Sequence, residues 1–318
     1  MEIDDIKKVG VVGAGVMGHG IAFSFALGGY PTIMNDLTDS ILDKAMQNIR
    51  ATADLFVEEG LTTRKRADEA VSRITTTLDL AQVAANSDFI TEAITERSRD
   101  KRGLFNELDR ICPPHTILVS NTSGLVLSDF AAQVKRQDKI AITHYFCPPA
   151  IVPGVEVARG PGTSDETFEV AYELMKRIYH IPVRVFKELP GCLLNRIQGA
   201  MNREAIRLWA EGVASAEDIE LGVKTTFGFR MFHEDPMLHY DLAGIWRWPE
   251  DVRLARTQRR AGGEPELSAE AAERIRKRYA EGTPWFFAPE EYEEATAERD
   301  RRYIRRLKEL YWTKDQQP

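Results

Sequence analysis

A histidine and a glutamate twelve positions apart, His144 and Glu156, are the residues of this chain best placed to move a proton. His144 alone among the six histidines directly follows a predicted strand, Ile140-Ala141-Ile142-Thr143, which puts it at the sheet edge beside Tyr145-Phe146-Cys147-Pro148-Pro149. Glu156 stands between Val155 and Val157, a pattern that buries its carboxylate. Either residue alone is more often structural than catalytic. A carboxylate that reaches an imidazole fixes the ring's tautomer and stabilises the imidazolium formed when the ring takes a proton. Oxidation of a secondary alcohol needs such a base, and a nicotinamide cofactor supplies the rest of the chemistry. Ser120-Asn121-Thr122-Ser123-Gly124 follows another predicted strand. Its hydroxyls face the same crevice, or it is an ordinary turn held by side-chain-to-backbone bonds. Asn195-Arg196 opens a predicted helix and either donates to a substrate oxygen or caps and pairs locally.

These residues need a scaffold that also holds the cofactor. Gly13-Ala14-Gly15-Val16-Met17-Gly18 lies between the apolar run Val9-Gly10-Val11-Val12 and the segment Gly20 to Ala26. A strand, a glycine turn and a helix N-terminus in that order bind a dinucleotide pyrophosphate. Gly13 permits the turn, Gly15 lets backbone N–H groups approach the phosphates, and Gly18 lets helix and strand pack closely. The helix N-terminus adds unpaired donors and the positive end of its dipole. A second strand, Pro31 to Asn35, ends at Asp36 with no Arg or Lys beside it. An acid there accepts from the ribose hydroxyls and repels a 2′-phosphate, so the expected cofactor is NAD and not NADP.

Further strands are predicted at 88–94, 117–120, 140–143 and 182–185, separated by helices at 39–55, 98–110, 126–134 and 163–179, the last with Thr163 as N-cap. Alternation of this kind means a mostly parallel sheet covered on both faces, with ligands at the carboxyl ends of the strands. After Leu189-Pro190-Gly191 nearly everything reads as helix: 193–211, 216–224 behind Ser215, 268–280 and 288–312. The fold class is therefore α/β, a Rossmann-type domain over 1–188 followed by an all-α domain over 189–318. A chain of 318 residues exceeds the usual size of one core, in keeping with two domains.

The net charge of −7, from 42 basic and 49 acidic residues, argues against nucleic acid or an anionic membrane as partner. No apolar stretch approaches a bilayer-spanning length, and Met1-Glu2-Ile3-Asp4-Asp5 is acidic where a secretory signal is basic, so a cytoplasmic protein is expected. Cys112, Cys147 and Cys192 are scattered, which predicts free thiols and no metal site. Arg64-Lys65-Arg66 is a solvated helical face or a grip on an anionic substrate tail.

The chain resembles the L-3-hydroxyacyl-CoA dehydrogenase family from about Lys8 to about Gly244. The matching segments are GAGVMGHGIA (13–22), DFITEAITE with KRGLF (88–105), SNTSGL (120–125), HYFCPP with VEV (144–157), TSDET (163–167), PGCLLNR (190–196) and EGVASAEDIE (211–220). The resemblance implies a Rossmann-type domain joined to a helical domain that forms a homodimer interface. It implies His144 as general base and Glu156 as its partner, with Ser123 and Asn195 holding the substrate's hydroxyl or keto oxygen. Glu96, Lys101 and Asn121 would line the nicotinamide half of the cofactor, and Gly13, Gly15, Val16, Met17, Gly18 and Asp36 its pyrophosphate and adenosine half. The implied substrate is a 3-hydroxyacyl-CoA. Two departures bear on it: Cys147 stands where the family shows Asn, and Phe229 to Pro236 replaces a stretch with a Gly-Pro pair. The compact length and Gly282-Thr283-Pro284-Trp285-Phe286-Phe287 followed by a charged helix also resemble relatives that oxidise small hydroxy acids or hydroxymethyl groups without CoA, such as gulonate and carnitine dehydrogenases, and lambda-crystallin, which leaves a silent NAD-binding protein as a third reading.

Overall fold

The computed structural model describes residues 2–258 and 268–311. Eight strands form one sheet: β1 (Val9–Val12), β2 (Thr32–Asn35), β3 (Ile74–Thr77), β4 (Phe89–Glu92), β5 (Ile117–Ser120), β6 (Ile140–Tyr145), β7 (Gly154–Arg159) and β8 (Ile181–Val185). Their order is β3-β2-β1-β4-β5-β6-β7-β8. The first six strands are parallel, β7 runs antiparallel to β6, and β8 is parallel to β7. From β1 the chain builds outward to β3 and then returns to β4 on the other side of β1. That reversal opens a crevice at the carboxyl ends of β1 and β4, where open α/β sheets bind ligands.

Strand residues alternate between two cores, as a period of two requires. Val9 and Val11 of β1, Ile117 and Val119 of β5 and Ala141 of β6 enter one core. Val12, Leu118, Ile140 and Ile142 enter the other. The first core is closed by α1 (Gly18–Leu27), α2 (Asp39–Glu58), α3 (Arg64–Ser72) and α7 (Asp165–Arg177). The second is closed by α4 (Leu80–Ala85), α5 (Ser98–Ile111) and α6 (Leu127–Phe130). Helix α1 is buried on all sides from Gly20 to Ala26, which is why its sequence is apolar without a polar stripe.

Some expectations needed correction. Strand β3 ends in three threonines and is mostly exposed at the sheet edge, so no apolar pattern announces it. The helix expected over 126–134 stops at Phe130. The N-cap of α7 is Ser164, whose side chain accepts from Thr167 N–H, while Thr163 Oγ1 donates to the Ile140 carbonyl instead.

The chain divides into two compact units, Met1–Gly199 and Ala200–Pro318. Helix α8 (Leu193–Ala210) begins in the first unit. The described residues of the second unit contain no strand. They form α9 (Ala216–Thr225), α10 (Phe227–Arg230), α11 (Pro236–Leu242), α12 (Glu250–Gln258), α13 (Ala269–Ala280) and α14 (Tyr292–Leu310), so the helix expected over 288–312 starts later, and residue 312 lies outside the described residues. Within this unit Asp241 is buried and accepts from Trp285 and Phe286 N–H at 2.6 and 2.9 Å, pinning that loop to α11. Asp235 is exposed at the start of α11, and Trp246 is buried against Tyr292.

In the first core Phe23 of α1 meets Phe56 of α2 edge-on at 5.6 Å. Phe23→Ala is expected to lower stability by about 3–5 kcal/mol in urea denaturation; a loss under about 1 kcal/mol would contradict this packing.

Candidate active site

The turn after β1 is shaped by backbone crowding. Gly13 has φ +97°, and a Cβ there would lie 2.5 Å from the Ala93 carbonyl oxygen. A Cβ at Gly18 would lie 1.7 Å from the Gly13 carbonyl oxygen, so α1 can approach the turn only as glycine. Gly15, by contrast, faces open space. Beside the turn, Asp36 accepts from Ala14 N–H through Oδ2 and from Leu37 N–H through Oδ1, both at 2.7 Å, so its carboxylate is fixed at the end of β2.

The turn is one end of a cavity of about 1100 Å³ within the first unit. Gly13, Gly15, Val16, Met17 and Asp36 line this end, and Glu96, Asn121, Ser123, His144 and Asn195 line the rest. The structure thus brings together most of the residues singled out in the sequence. Gly18, Lys101 and Glu156 lie behind the wall. The open face at Gly15, the helix N-terminus and the fixed acid fit a dinucleotide: backbone donors for the pyrophosphate and an acceptor for the ribose.

His144 is not beyond its strand, as expected, but within it. Strand β6 continues to Tyr145 because β7 folds back on it, and the register pairs His144 directly with Glu156. Cross-strand partners point to the same face. Tyr145, Val155 and Val157 go to the first core, leaving the imidazole and the carboxylate together on the opposite face. Nδ1 lies 2.6 Å from Glu156 Oε2, and Leu194 N–H donates to Oε1 at 2.8 Å. Glu156 is fully buried and His144 is 4% exposed. A carboxylate only accepts, so Nδ1 is the nitrogen that donates to it, and in a neutral ring Nε2 keeps a lone pair. Asn121 Oδ1 accepts from Tyr145 N–H, which ties the loop after β5 to the end of β6. Asn195 Nδ2 donates to the Ser123 carbonyl at 3.4 Å, bringing the first turn of α8 to the same loop.

Behind the loop lies a residue that the sequence reading passed over. Glu92, the last residue of β4, is fully buried; its Oε1 accepts from Lys101 Nζ at 2.6 Å and from Ile94 N–H at 2.8 Å, and its Oε2 from Ser120 Oγ at 2.6 Å. Burial pushes its carboxyl up, against the pull of the Lys101 ammonium. Lys101 also pairs with Glu96 Oε2 at 3.1 Å, so it meets the cavity only through Glu96. Glu96 Oε1 accepts from Ser123 and Gly124 N–H, each at 2.9 Å. Partial burial opposes its ionisation, but the bonds from Thr122 and Gly124 and the Lys101 charge prevail and hold it below the usual carboxylate range. The signal for Glu92 was available: an acid ends the otherwise uncharged strand Phe89-Ile90-Thr91, where a charge must be paired.

The basic cluster is engaged locally: Arg64 pairs with Asp54 at 2.7 Å, Lys65 reaches Glu69 at 4.0 Å, and Arg66 donates to the Tyr179 hydroxyl at 3.0 Å. The three cysteines are free. Cys192 comes close to the central pair: its sulfur and ligand-type atoms of His144 and Glu156 all lie within 4.8 Å of one another, a proximity that spacing in the sequence did not show.

A glycine turn from a central parallel strand into a buried helix, an acid ending the next strand and, on the same cavity, an imidazole backed by a buried carboxylate define a Rossmann-type dehydrogenase that uses NAD. Comparison with known proteins gives the family. Residues 8–189 match the 3-hydroxyacyl-CoA dehydrogenase NAD binding domain, and residues 191–285 match the C-terminal domain of that family. The chain belongs to the 3-hydroxyacyl-CoA dehydrogenase family. It is 38% identical over 231 residues to the mitochondrial hydroxyacyl-coenzyme A dehydrogenase of Rattus norvegicus, covering 71% of this chain and 73% of that protein. It is 34% identical over 248 residues to a 3-hydroxybutyryl-CoA dehydrogenase of Clostridioides difficile, covering 78% and 85%. Among solved structures, an (S)-3-hydroxybutyryl-CoA dehydrogenase from Ralstonia eutropha superposes with a TM-score of 0.67 at 32% identity, covering 79% of this chain and 85% of that one.

Burial pushes the Cys112 thiol up to about 11 and the Cys192 thiol up to about 12, so both stay protonated at neutral pH, whereas Cys147 is exposed. Thiolate is the reactive form. An aromatic disulfide reagent at neutral pH is expected to titrate one thiol in the native protein and all three in guanidinium; two or three rapid native equivalents would contradict the burial.

Proposed function

We propose that this protein interconverts a 3-hydroxyacyl-CoA and its 3-keto form with NAD, using His144 as general base and acid. The observation that carries the reading is the 2.6 Å contact of His144 Nδ1 with a buried carboxylate, on a ring that lines the cavity. Bound NAD supplies the two-electron acceptor. In the oxidative direction Nε2 takes the hydroxyl proton, and Glu156 steadies the imidazolium and holds the ring by its other nitrogen. In the reductive direction the imidazolium returns that proton to the oxygen. Ser123 and Asn195 position the substrate oxygen. The backbone of Gly13, Gly15, Val16 and Met17 would hold the pyrophosphate, Asp36 the ribose, and Glu96 and Asn121 the nicotinamide half, with Gly18 letting α1 close on the turn and Lys101 supporting Glu96 from behind.

In this reading residues 1–188 bind the cofactor, and residues 189–318 bind substrate and join two copies in a cytoplasmic homodimer. Support for the dimer comes from α8, which buries none of its residues and exposes Ile197, Met201, Ile206 and Trp209. No helix among the described residues is long and apolar enough to cross a membrane. The net charge of −7 supports a small-molecule substrate over a nucleic acid partner.

A second reading, a small hydroxy acid or alcohol without CoA, is favoured by one observation. The described cavity lining carries Asp36, Glu96 and Asp100 but no lysine or arginine to meet a CoA phosphate, and Arg64 and Arg66 are already engaged. Following NADH absorbance with acetoacetyl-CoA and a panel of free hydroxy acids separates the two. The first reading expects turnover of the thioester at ordinary enzyme rates, and turnover of a free acid alone would replace it.

His144→Gln is expected to lower kcat by about 10²–10⁴-fold while NAD still binds in calorimetry, because the ring lies away from the glycine turn. Near-normal activity in this variant would remove His144 as the base.

A further inference from the structure

The Glu92–Lys101–Glu96 chain is a charge arrangement and not only a brace. Glu92 Oε1 meets two groups that can only donate, Lys101 Nζ and Ile94 N–H, and its Oε2 meets the Ser120 hydroxyl; the direct contact with an ammonium is what favours its ionised form. Lys101 is 1% exposed and sits between the two carboxylates at 2.6 and 3.1 Å. Two carboxylates against one ammonium leave one unbalanced negative charge. It resides at Glu96, the only member of the three that lines the cavity. Glu96 is bonded to the backbone of Ser123 and Gly124, the loop tied to Asn195 and, through Asn121, to β6 next to His144. The charge therefore faces the reacting part of the cavity.

We infer that this triad sets the preference of the site between the oxidised and reduced forms of its nicotinamide cofactor. The inference rests on the proposed use of NAD. The oxidised nicotinamide ring carries a positive charge and the reduced ring is neutral, while the rest of the molecule is the same. A fixed negative charge close to the ring favours the oxidised form, and in a partly desolvated cavity it is screened less than in water. Glu92 acts at one remove: it compensates Lys101, so that the ammonium does not cancel Glu96. Glu92 is thus a positioning residue, and its effect is electrostatic.

The test is the ratio Kd(NAD⁺)/Kd(NADH), from calorimetry for NAD⁺ and fluorescence titration for NADH. Glu92→Gln and Glu96→Gln each add one positive charge to the balance and are expected to raise the ratio about fivefold. The double variant E92Q/K101M removes the buried pair together, restores the net charge and is expected to return the ratio to within about twofold of the wild-type value. A purely structural role for Glu92 would weaken both cofactor forms alike and leave the ratio in place. Should Glu92→Gln fail to fold, the half-exposed Glu96→Gln and the neutral double variant carry the test. An unchanged ratio in Glu96→Gln, or a double variant that stays as displaced as Glu92→Gln, overturns the inference. Failure of the wild-type protein to bind either cofactor form would instead overturn the proposed function on which it rests.

Discussion

The hydrogen bond between His144 and Glu156 is the constraint from which the rest of the site follows. Both groups are buried, and an ionised carboxylate without water is costly unless each oxygen finds a donor. Glu156 solves this with two donors from separate parts of the chain, the imidazole of β6 and the N–H of Leu194 at the start of α8. The bond therefore requires β7 to run back along β6 in one register, since a slip of one residue would turn the acid to the other face. It also requires the chain after Pro190-Gly191 to bring the first turn of α8 against the sheet, which carries Asn195 to Ser123. One buried pair thus links β6, β7, α8 and the loop after β5.

Electrostatics divide the cavity between its two ends. At the glycine turn the binding groups are backbone donors and a helix N-terminus, where side chains are excluded by contacts as short as 1.7 Å. Around His144 the charges belong to side chains, each held by buried partners: Glu156 by the strand pair, and Glu96 by Lys101 and the backbone of the loop after β5. Groups held in this way do not reorganise as charge develops during a reaction, and preorganised polar groups contribute most of the stabilisation in many enzymes.

Much of this was legible in the sequence, for physical reasons. The glycine turn and Asp36 are readable because few residues fit such backbone geometry, and β4 to β6 because strands buried on both faces are nearly continuous apolar runs. Glu156 showed itself as an acid between two valines. Other elements were silent. Strand β3 is an exposed edge of threonines with no apolar period. The extension of β6 through His144 depends on pairing with β7, which no local pattern encodes. Lys101 looked like a residue of the cavity wall, but its partner Glu92 draws it inward, a tertiary effect invisible to spacing. Cys192 lies beside the central pair after a turn in which Gly191 and Cys192 both have positive φ, +79° and +51°, a conformation that spacing does not reveal.

The tautomer of His144 tests the central claim most directly. In protein carrying ¹⁵N-labelled histidine, at a pH where the ring is neutral, the account predicts that the His144 proton resides on Nδ1, and that Glu156→Gln disturbs this signal while the other histidines keep theirs. A neutral ring protonated mainly on Nε2, or a His144 spectrum indifferent to Glu156→Gln, would contradict it.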